Sequence, residues 1–300
     1  MKKLLNIDGG GVRVYFSLLI LNYIEEKTNK NIVELFDYYA GVSASSIILA
    51  GLLTKYTVKD MLKIFKDISS KIFYRSIYQV ITSGFGLFYS KYTDDNINIE
   101  LKKLLENFKL NDCKKPLAVL TYDLNSSKPI CFYSYQDISH DLSQDLWKVI
   151  RGSTAAPTYF QPYKLNDYSL IDGGVVTNNL SEMTFLDALN RYGDTEEYFQ
   201  LSIGTGVYHK KFTETPSGLW SWSGSILDIF FNATSSYEML SLNKLSKYEN
   251  LKFFHRVDIT LEQDIKLDDY NSFDLMDSIF DEWLENNKDY LDTICDQLVE

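Results

Sequence analysis

The chain has 300 residues, which is enough for one large hydrophobic core, and no linker-like or low-complexity run divides it. We therefore expect a single domain over residues 1–300. The net charge of −11 and the lack of a lysine and arginine cluster exclude a nucleic-acid partner and docking on anionic membranes by a polybasic patch. Contact with lipid would have to come from apolar and aromatic side chains, and the chain carries 22 Tyr, 18 Phe and 4 Trp.

The first strand is predicted at residues 4–7, where a glycine turn, Asp8-Gly9-Gly10-Gly11, interrupts the chain before a buried helix over residues 14–24. A second strand leads into Gly41, and its helix ends near residue 53. Apolar spacing typical of amphipathic helices follows at residues 58–72 and 94–108.

The second half of the chain continues this alternation. Strands are predicted at residues 117–122, 130–133, 169–171, 199–203 and 251–259, and helices at residues 146–150, 183–189 and 273–298. The pattern predicts an α/β fold with a mostly parallel sheet covered on both faces. Three strands end in glycine-rich turns, and ligands of such sheets gather at the carboxyl ends of strands.

The segment Gly41-Val42-Ser43-Ala44-Ser45 lies between a strand and a helix, which is the layout of a nucleophile elbow. Such a turn exposes the serine hydroxyl at the positive end of the helix. The usual pattern is Gly-x-Ser-x-Gly, and Ser45 occupies its last position. The alternative is a helix that merely begins with serine, a favoured N-cap residue.

The glycines Gly9, Gly10 and Gly11 expose backbone N–H groups that could bind an oxyanion. A phosphate-binding loop is the competing interpretation. Gly-x-Gly-x-x-Gly fails because residue 14 is valine, and the Gly-x-x-x-x-Gly-Lys-Ser/Thr motif is absent.

Two residues compete for the role of general base. Asp172 ends a strand before two glycines, but a carboxylate with an ordinary pKa of about 3.9 must be desolvated to act on a hydroxyl. His255 would complete a Ser43, Asp172, His255 triad in conventional order, although its sequence context is that of a strand interior. His140 and His209 have the surroundings of exposed surface residues.

Five segments, in order, resemble the signature blocks of patatin-like phospholipases, and the resemblance runs from residue 4 to about 260. They are Asp8-Gly9-Gly10-Gly11-Val12-Arg13, Gly41-Val42-Ser43-Ala44-Ser45, Ser153-Thr154-Ala155-Ala156-Pro157-Thr158-Tyr159-Phe160, Asp172-Gly173-Gly174-Val175-Val176-Thr177-Asn178-Asn179 and Leu201-Ser202-Ile203-Gly204-Thr205-Gly206.

The resemblance implies a three-layer α/β/α fold and a Ser–Asp dyad that hydrolyses acyl esters of lipids without histidine. By position, it implies Ser43 as nucleophile, Asp172 as base and Gly9, Gly10 and Gly11 as oxyanion donors, with Arg13 closing that motif. The implied substrate is a phospholipid or galactolipid at a membrane or micelle surface. Asn178 and Asn179 are expected to fix the loop after Asp172.

Neither a metal nor an organic cofactor is expected, because the sequence offers no clustered metal ligands. The widely spaced cysteines are expected to be reduced thiols, and no run of about 18 apolar residues predicts a membrane span. We expect a cytoplasmic protein or one peripheral to membranes, without a cleaved signal peptide; export by another route stays open. The cysteines are Cys113, Cys131 and Cys295.

Two aromatic stretches, residues 73–92 and 219–231, are candidates for an interfacial lid or an acyl-chain groove, and we expect one of the two to have that role. Insertion helices packed on the core are the alternative. Two other functions also remain open: a catalytically silent lipid- or protein-binding scaffold, suggested by Ser45, and a soluble esterase that uses His255.

Overall fold

The structure, a computed structural model, describes residues 1–76, 89–135, 142–208 and 249–300, together with the isolated residues 222, 229, 233, 237 and 240. Within these residues, eight strands form one sheet, and two short strands pair separately. The strands are β1 (Lys2–Ile7), β2 (Tyr38–Val42), β3 (Leu117–Asp123), β4 (Lys128–Tyr133), β5 (Tyr163–Leu165), β6 (Tyr168–Asp172), β7 (Tyr198–Ile203), β8 (Val207–Tyr208), β9 (Leu251–Val257) and β10 (Thr260–Leu261).

Eight α-helices lie in the described part of the chain, and a short 3₁₀ turn, Gly11–Val14, joins β1 to the first of them. The helices are α1 (Tyr15–Thr28), α2 (Ile32–Leu35), α3 (Ala44–Thr54), α4 (Val58–Ile72), α5 (Asp94–Leu105), α6 (Leu146–Ser153), α7 (Ser181–Tyr192) and α8 (Phe273–Val299).

The sheet has the order β5-β6-β3-β2-β1-β7-β9, and β4 pairs with β3. Strands β3, β2, β1, β7 and β9 are mutually parallel, whereas β4, β5 and β6 join antiparallel. The prediction of a mostly parallel sheet between helices is confirmed. The antiparallel direction of β6 was not predicted, and it decides where Asp172 lies.

Strand β3 pairs with three other strands, β2, β4 and β6. Strand β4 pairs with it along residues 118–123, β2 along residues 117–120, and β6 along residues 121–123. Because a strand has only two edges, β2 and β6 share one edge of β3, one after the other. They run in opposite directions, so their carboxyl ends meet.

The two faces of the sheet are covered unequally by the described residues. On one face, β-strand residues such as Leu5 and Val119 belong to a large core with α1, α3, α4, α5, α6 and α8. On the other face, Leu4 and Leu120 pack in a smaller cluster with Phe185 of α7. Parallel strands buried on both faces explain the nearly continuous apolar runs in the sequence.

Most predicted elements match the observed ones to within a few residues at each end. Strand β5, helix α2 and the β8–β10 pair were missed because each is four residues or shorter and carries little periodicity. None of the described helices combines the length and the apolar character needed to cross a bilayer. All three cysteines are free thiols, and Cys295 is buried.

Candidate active site

Ser43 occupies a strained turn between β2 and α3. Its φ of 57° and ψ of −135° lie in a region that residues with a side chain rarely adopt. The turn is braced on both sides. The Ser43 N–H donates to Ser153 Oγ at 3.0 Å, and Ser46 Oγ donates to the Ser43 carbonyl at 2.5 Å. Ser153 Oγ in turn donates to the Leu120 carbonyl at 2.7 Å, which connects the elbow to β3.

Asp172 reaches Ser43 because of the strand register. Val42 pairs with Leu120 of β3, and the next residue of β3, Thr121, pairs with Asp172. The last residue of β6 therefore lies directly beyond the last residue of β2. The Ser43 Oγ donates a hydrogen bond to Asp172 Oδ2 at 2.6 Å.

The Asp172 carboxyl is removed from solvent, with 2% of the residue exposed. Burial raises its pKa to about 6, although the hydrogen bonds from the Ser43 hydroxyl and the Gly174 N–H act in the opposite direction. The Gly174 N–H donates to Asp172 Oδ1 at 2.8 Å and leaves Oδ2 facing Ser43. Asp172 is thus a better proton acceptor near neutral pH than an exposed aspartate.

The glycine loop lies against the elbow. A Cβ added at Gly9 would stand 3.2 Å from Ser43 Cβ and 2.5 Å from Asn178 Oδ1, so a side chain at residue 9 would require Asn178 or the elbow to shift. The Gly9 N–H donates to the Asn178 carbonyl at 3.2 Å and is thereby engaged within the protein. Gly10 and Gly11 line the same cavity as Ser43.

Arg13 lies in the 3₁₀ turn after this loop, and its N–H donates to the Gly10 carbonyl at 3.1 Å. It is absent from the described lining of the cavity. Of the four residues expected to build an oxyanion site, Gly10 and Gly11 line the cavity together with Ser43. Gly9 and Arg13 brace the loop through their backbone N–H groups.

Ser45 is fully buried beneath the elbow. Its Oγ accepts the Val42 N–H at 2.9 Å and lies 2.8 Å from both the Ile7 and the Val42 carbonyl oxygens, to which it donates. The hydroxyl thus bridges the end of β2 to the end of β1. The Gly-x-Ser-x-Gly pattern alone does not predict this bridge.

Above the Ser43–Asp172 pair lies a cavity of about 690 Å³, measured with the part that opens to solvent. Its walls come mainly from α3, α4, α5 and the segment after α6, and they are largely apolar. They include Ile47, Phe65, Ile72, Ile97, Phe160 and Leu267. Phe65 and Ile97 were not predicted as cavity residues, because their periodicity indicated only core-facing positions on helices.

His255 lies far from this cavity. It shares a level of the sheet with Leu201, Leu5 and Tyr39, three strands away from β2, or about 14 Å across the sheet at ~4.8 Å per strand. Its Nε2 lies 2.7 Å from Gln297 Oε1, on α8. The geometry therefore contradicts a triad of Ser43, Asp172 and His255. His140 and His209 lie outside the described residues.

The two aromatic stretches are described only in part. Phe73 lines the cavity, and its ring packs against Tyr92 and Phe160 with centroids 5.2 and 6.3 Å apart. Residues 77–88, and nearly all of residues 219–231, lie outside the described part of the chain. Of the two candidate stretches, residues 73–92 contribute Phe73 to the cavity wall within the described part of the chain.

A serine on a strained strand–helix turn, paired with a buried carboxylate below an apolar cavity, defines an α/β protein with a hydrolase-like site. The chain belongs to the patatin-like phospholipase family, whose family model matches residues 5–185.

Among curated relatives, Patatin-like protein 4 of Arabidopsis thaliana is 29% identical over 322 residues, covering 91% of this chain and 80% of the relative. Calcium-independent phospholipase A2-gamma of Mus musculus is 29% identical over 252 residues, covering 79% of this chain. The aligned part is 32% of that relative's length. A solved structure, VipD from Legionella pneumophila, aligns with 94% of this chain and 67% of its own at 14% identity and a TM-score of 0.44.

Proposed function

We propose that this protein is a lipid acyl hydrolase of the phospholipase A type, with Ser43 as nucleophile and Asp172 as base. The observation that carries the proposal is the 2.6 Å hydrogen bond from Ser43 Oγ to a buried Asp172 carboxylate at the floor of an apolar cavity. Membership of the patatin-like phospholipase family supports it. A single domain over residues 1–300 stays part of the proposal.

In the first half of the reaction, Ser43 Oγ attacks the acyl carbonyl carbon while its proton passes to Asp172 Oδ2. The carbonyl oxygen becomes an oxyanion, which the N–H groups of Gly10 and Gly11 stabilise. When the tetrahedral intermediate collapses, the bond to the alcohol oxygen breaks. Asp172 returns its proton to the departing lysolipid, and the acyl group stays on Ser43.

In the second half, water attacks the acyl-serine ester, and Asp172 takes a proton from that water. When the second intermediate collapses, the bond to Ser43 Oγ breaks, Asp172 returns the proton to Ser43 Oγ, and the fatty acid is released. A single carboxylate can serve both halves because burial raises its pKa to about 6, close to the pH at which it must both accept and return a proton.

The cavity supports a substrate with a long acyl chain. Its walls are apolar, and aromatic residues such as Phe73 and Tyr159 line it. Burial of the chain would contribute about 0.8 kcal/mol per methylene group. The expected substrate is a phospholipid or galactolipid presented at a membrane or micelle surface, and no bound metal or cofactor takes part in the proposed steps.

The test is fatty-acid release from mixed phospholipid and galactolipid micelles by the wild type and by Ser43→Ala and Asp172→Asn variants. We expect each variant to lose at least about 10³-fold in kcat, and the double variant to lose no more than the worse single one. A fluorophosphonate probe should label wild-type Ser43 and leave Ser43→Ala unlabelled.

His255→Ala is the matched control, because it removes a titratable side chain outside the cavity. It should keep wild-type turnover. A wild type that releases no fatty acid and takes up no probe would refute the hydrolase and favour a silent lipid- or protein-binding scaffold. Loss of turnover in a folded His255→Ala variant would refute the dyad.

A further inference from the structure

The glycine loop that faces Ser43 is held from behind by a second glycine loop, Gly204-Thr205-Gly206. The Thr205 Oγ1 donates to the Gly9 carbonyl at 3.1 Å, and a Cβ added at Gly10 would lie 2.2 Å from Thr205 Oγ1. The Asp8 N–H also donates to the Ile203 carbonyl at 2.9 Å. The position of the first loop therefore depends on the position of the second.

Arg256, near the end of β9, connects the two loops. Its two terminal nitrogens donate to the two carboxylate oxygens of Asp8 at 2.9 and 2.6 Å, which is the bidentate geometry that favours arginine. The same guanidinium donates to Asp258 Oδ2 at 2.7 Å and to Ser202 Oγ at 2.8 Å. The Arg256 and Asp8 side chains are only 16% and 6% exposed.

Asp258 extends the connection to the second loop. Its Oδ1 accepts the Gly206 N–H at 3.0 Å, and its carboxylate fills the space in which a Gly204 Cβ would stand, 2.1 Å away. A single guanidinium therefore joins Asp8, which leads into the first loop, to Asp258, which fixes the second. No other described residue contacts both carboxylates through an ion pair.

The charge of Arg256 matters as well as its geometry. Asp8 directly precedes Gly9, so an unpaired Asp8 carboxylate would oppose the negative charge that develops beside Gly10 and Gly11. Burial lowers the pKa of Arg256, but Asp8 and Asp258 outweigh this effect and raise it, so the guanidinium stays charged. The guanidinium offsets the charge of the Asp8 carboxylate directly, and Arg256, Asp8 and Asp258 together carry one negative charge instead of two.

We propose that Arg256 is a positioning residue that fixes the oxyanion loop and neutralises Asp8, with Asp258 as its second anchor. The proposal rests on the proposed hydrolase function. Arg256 lies outside the family match, which ends at residue 185. Arg256 acts through Asp8 and Gly9, on the side of the loop away from Ser43, so it should affect the transition state more than substrate binding.

The test is the kinetics of Arg256→Met on a micellar phospholipid, together with two ligands of opposite type. A long-chain trifluoromethyl ketone forms a reversible adduct whose oxyanion occupies the donor site, whereas a non-hydrolysable ether lipid reports ground-state binding. We expect kcat to fall at least about 30-fold and affinity for the ketone to fall in parallel. KM and affinity for the ether lipid should change by less than about twofold.

Arg191→Met is the matched control, because Arg191 lies on α7, packs over the Tyr135 ring and does not line the cavity, and its removal should leave kcat unchanged. If Arg256→Met does not fold, Arg256→Lys keeps the charge and loses the bidentate geometry, and a smaller loss of kcat is expected. A folded Arg256 variant with wild-type kcat, or with equal losses for ketone and ether lipid, would overturn the proposal. An inactive wild type would instead overturn the hydrolase function.

Discussion

Ser45 Oγ lies 2.8 Å from the Ile7 carbonyl oxygen, so the residue below the nucleophile is tied to the strand that leads into the glycine loop. The same hydroxyl accepts the Val42 N–H at 2.9 Å. Ser45 thus replaces the flexibility of an elbow glycine with a bridge between β1 and β2. The role of Ser45 is therefore structural. It is consistent with a strand–helix turn at Ser43 that forms without a glycine at residue 45.

Ser45→Ala should therefore lower stability rather than activity. Removing one buried hydroxyl that makes such hydrogen bonds costs about 1–2 kcal/mol of unfolding free energy, while kcat should stay within about threefold of wild type. Urea unfolding and fatty-acid release measure the two effects. Ser45→Gly is the informative companion variant. If Ser45→Gly raised kcat more than about tenfold, the Ser45 side chain would limit the rate, and the interpretation of Ser45 as purely structural would be wrong.

The pH profile of kcat/KM should report Asp172. A base must be deprotonated to act, and burial raises the pKa of Asp172 to about 6. Activity should accordingly be constant above this pH and fall about tenfold per unit below it. Assays of a monomeric ester between pH 4.5 and 8.5 avoid changes in lipid charge. A profile that stayed flat down to pH 4.5 would contradict the assignment of Asp172 as base.

Asp172→Asn should make the folded protein more stable at pH 8. The pKa of Asp172 is raised in the folded state, so its ionisation above pH 6 opposes folding by on the order of 2–3 kcal/mol, a cost that disappears as pH falls towards 4. Chemical unfolding of both proteins at pH 8 and pH 4 gives the comparison. The advantage of the variant should be present at pH 8 and absent at pH 4.

Asp123→Asn provides the control of opposite sign. Burial of Asp123 alone would raise its pKa, but hydrogen bonds from Ser126, Ser169 and Asn125 outweigh burial and lower the pKa. Its ionised form therefore stabilises the fold, and Asp123→Asn should be less stable than wild type at pH 8. Equal effects of the two variants would show that the stability change does not arise from the carboxylate of Asp172.

Gly10→Ala should abolish most activity by moving the glycine loop. The added Cβ would lie 2.2 Å from Thr205 Oγ1, so either the loop or Thr205 must shift, and we expect kcat to fall at least about 10²-fold. Gly193→Ala is a suitable comparison. Its Cβ would meet nothing within 4 Å, and its positive φ of 96° makes the cost one of backbone strain alone. That variant should lose about 1 kcal/mol of stability and no activity.

Ala156→Phe should change the preference for acyl-chain length. Ala156 lines the cavity and is only partly buried, so a larger side chain there narrows the acyl site without disturbing the core. We expect kcat/KM for a C16 ester to fall about tenfold or more, while a C4 ester changes by less than about threefold. Leu186→Phe, at an exposed position on α7, should change neither. Parallel losses for both esters would place the acyl chain elsewhere.

Much of the fold follows from the sequence because buried parallel strands and glycine turns leave strong local patterns. Strand β2 before Ser43 and helix α4 at residues 58–72 are examples. The short distance between Ser43 and Asp172 could not be predicted from local sequence patterns. It depends on β6 running antiparallel and pairing at Thr121, a long-range register that local periodicity does not contain.

The role of Arg256 could not be predicted from the sequence, for a different reason. In the sequence, Arg256 is one of three polar or charged residues of β9, with Lys252 and His255, and local patterns cannot distinguish it from a solvent-facing residue. Its partner Asp8 lies 248 residues away along the chain. Pairing of this kind appears only after β9 takes its place beside β7.

The end-to-end meeting of β2 and β6 on β3 has a consequence for how this enzyme family can diversify. Ser43 and Asp172 are separated by 129 residues of chain, yet their spacing is set by main-chain hydrogen bonds to one short strand. Segments inserted between them can lengthen, shorten or be exchanged without moving either group. Strand β3 thus fixes the distance between Ser43 and Asp172, and a designer could graft new segments around it without changing that distance.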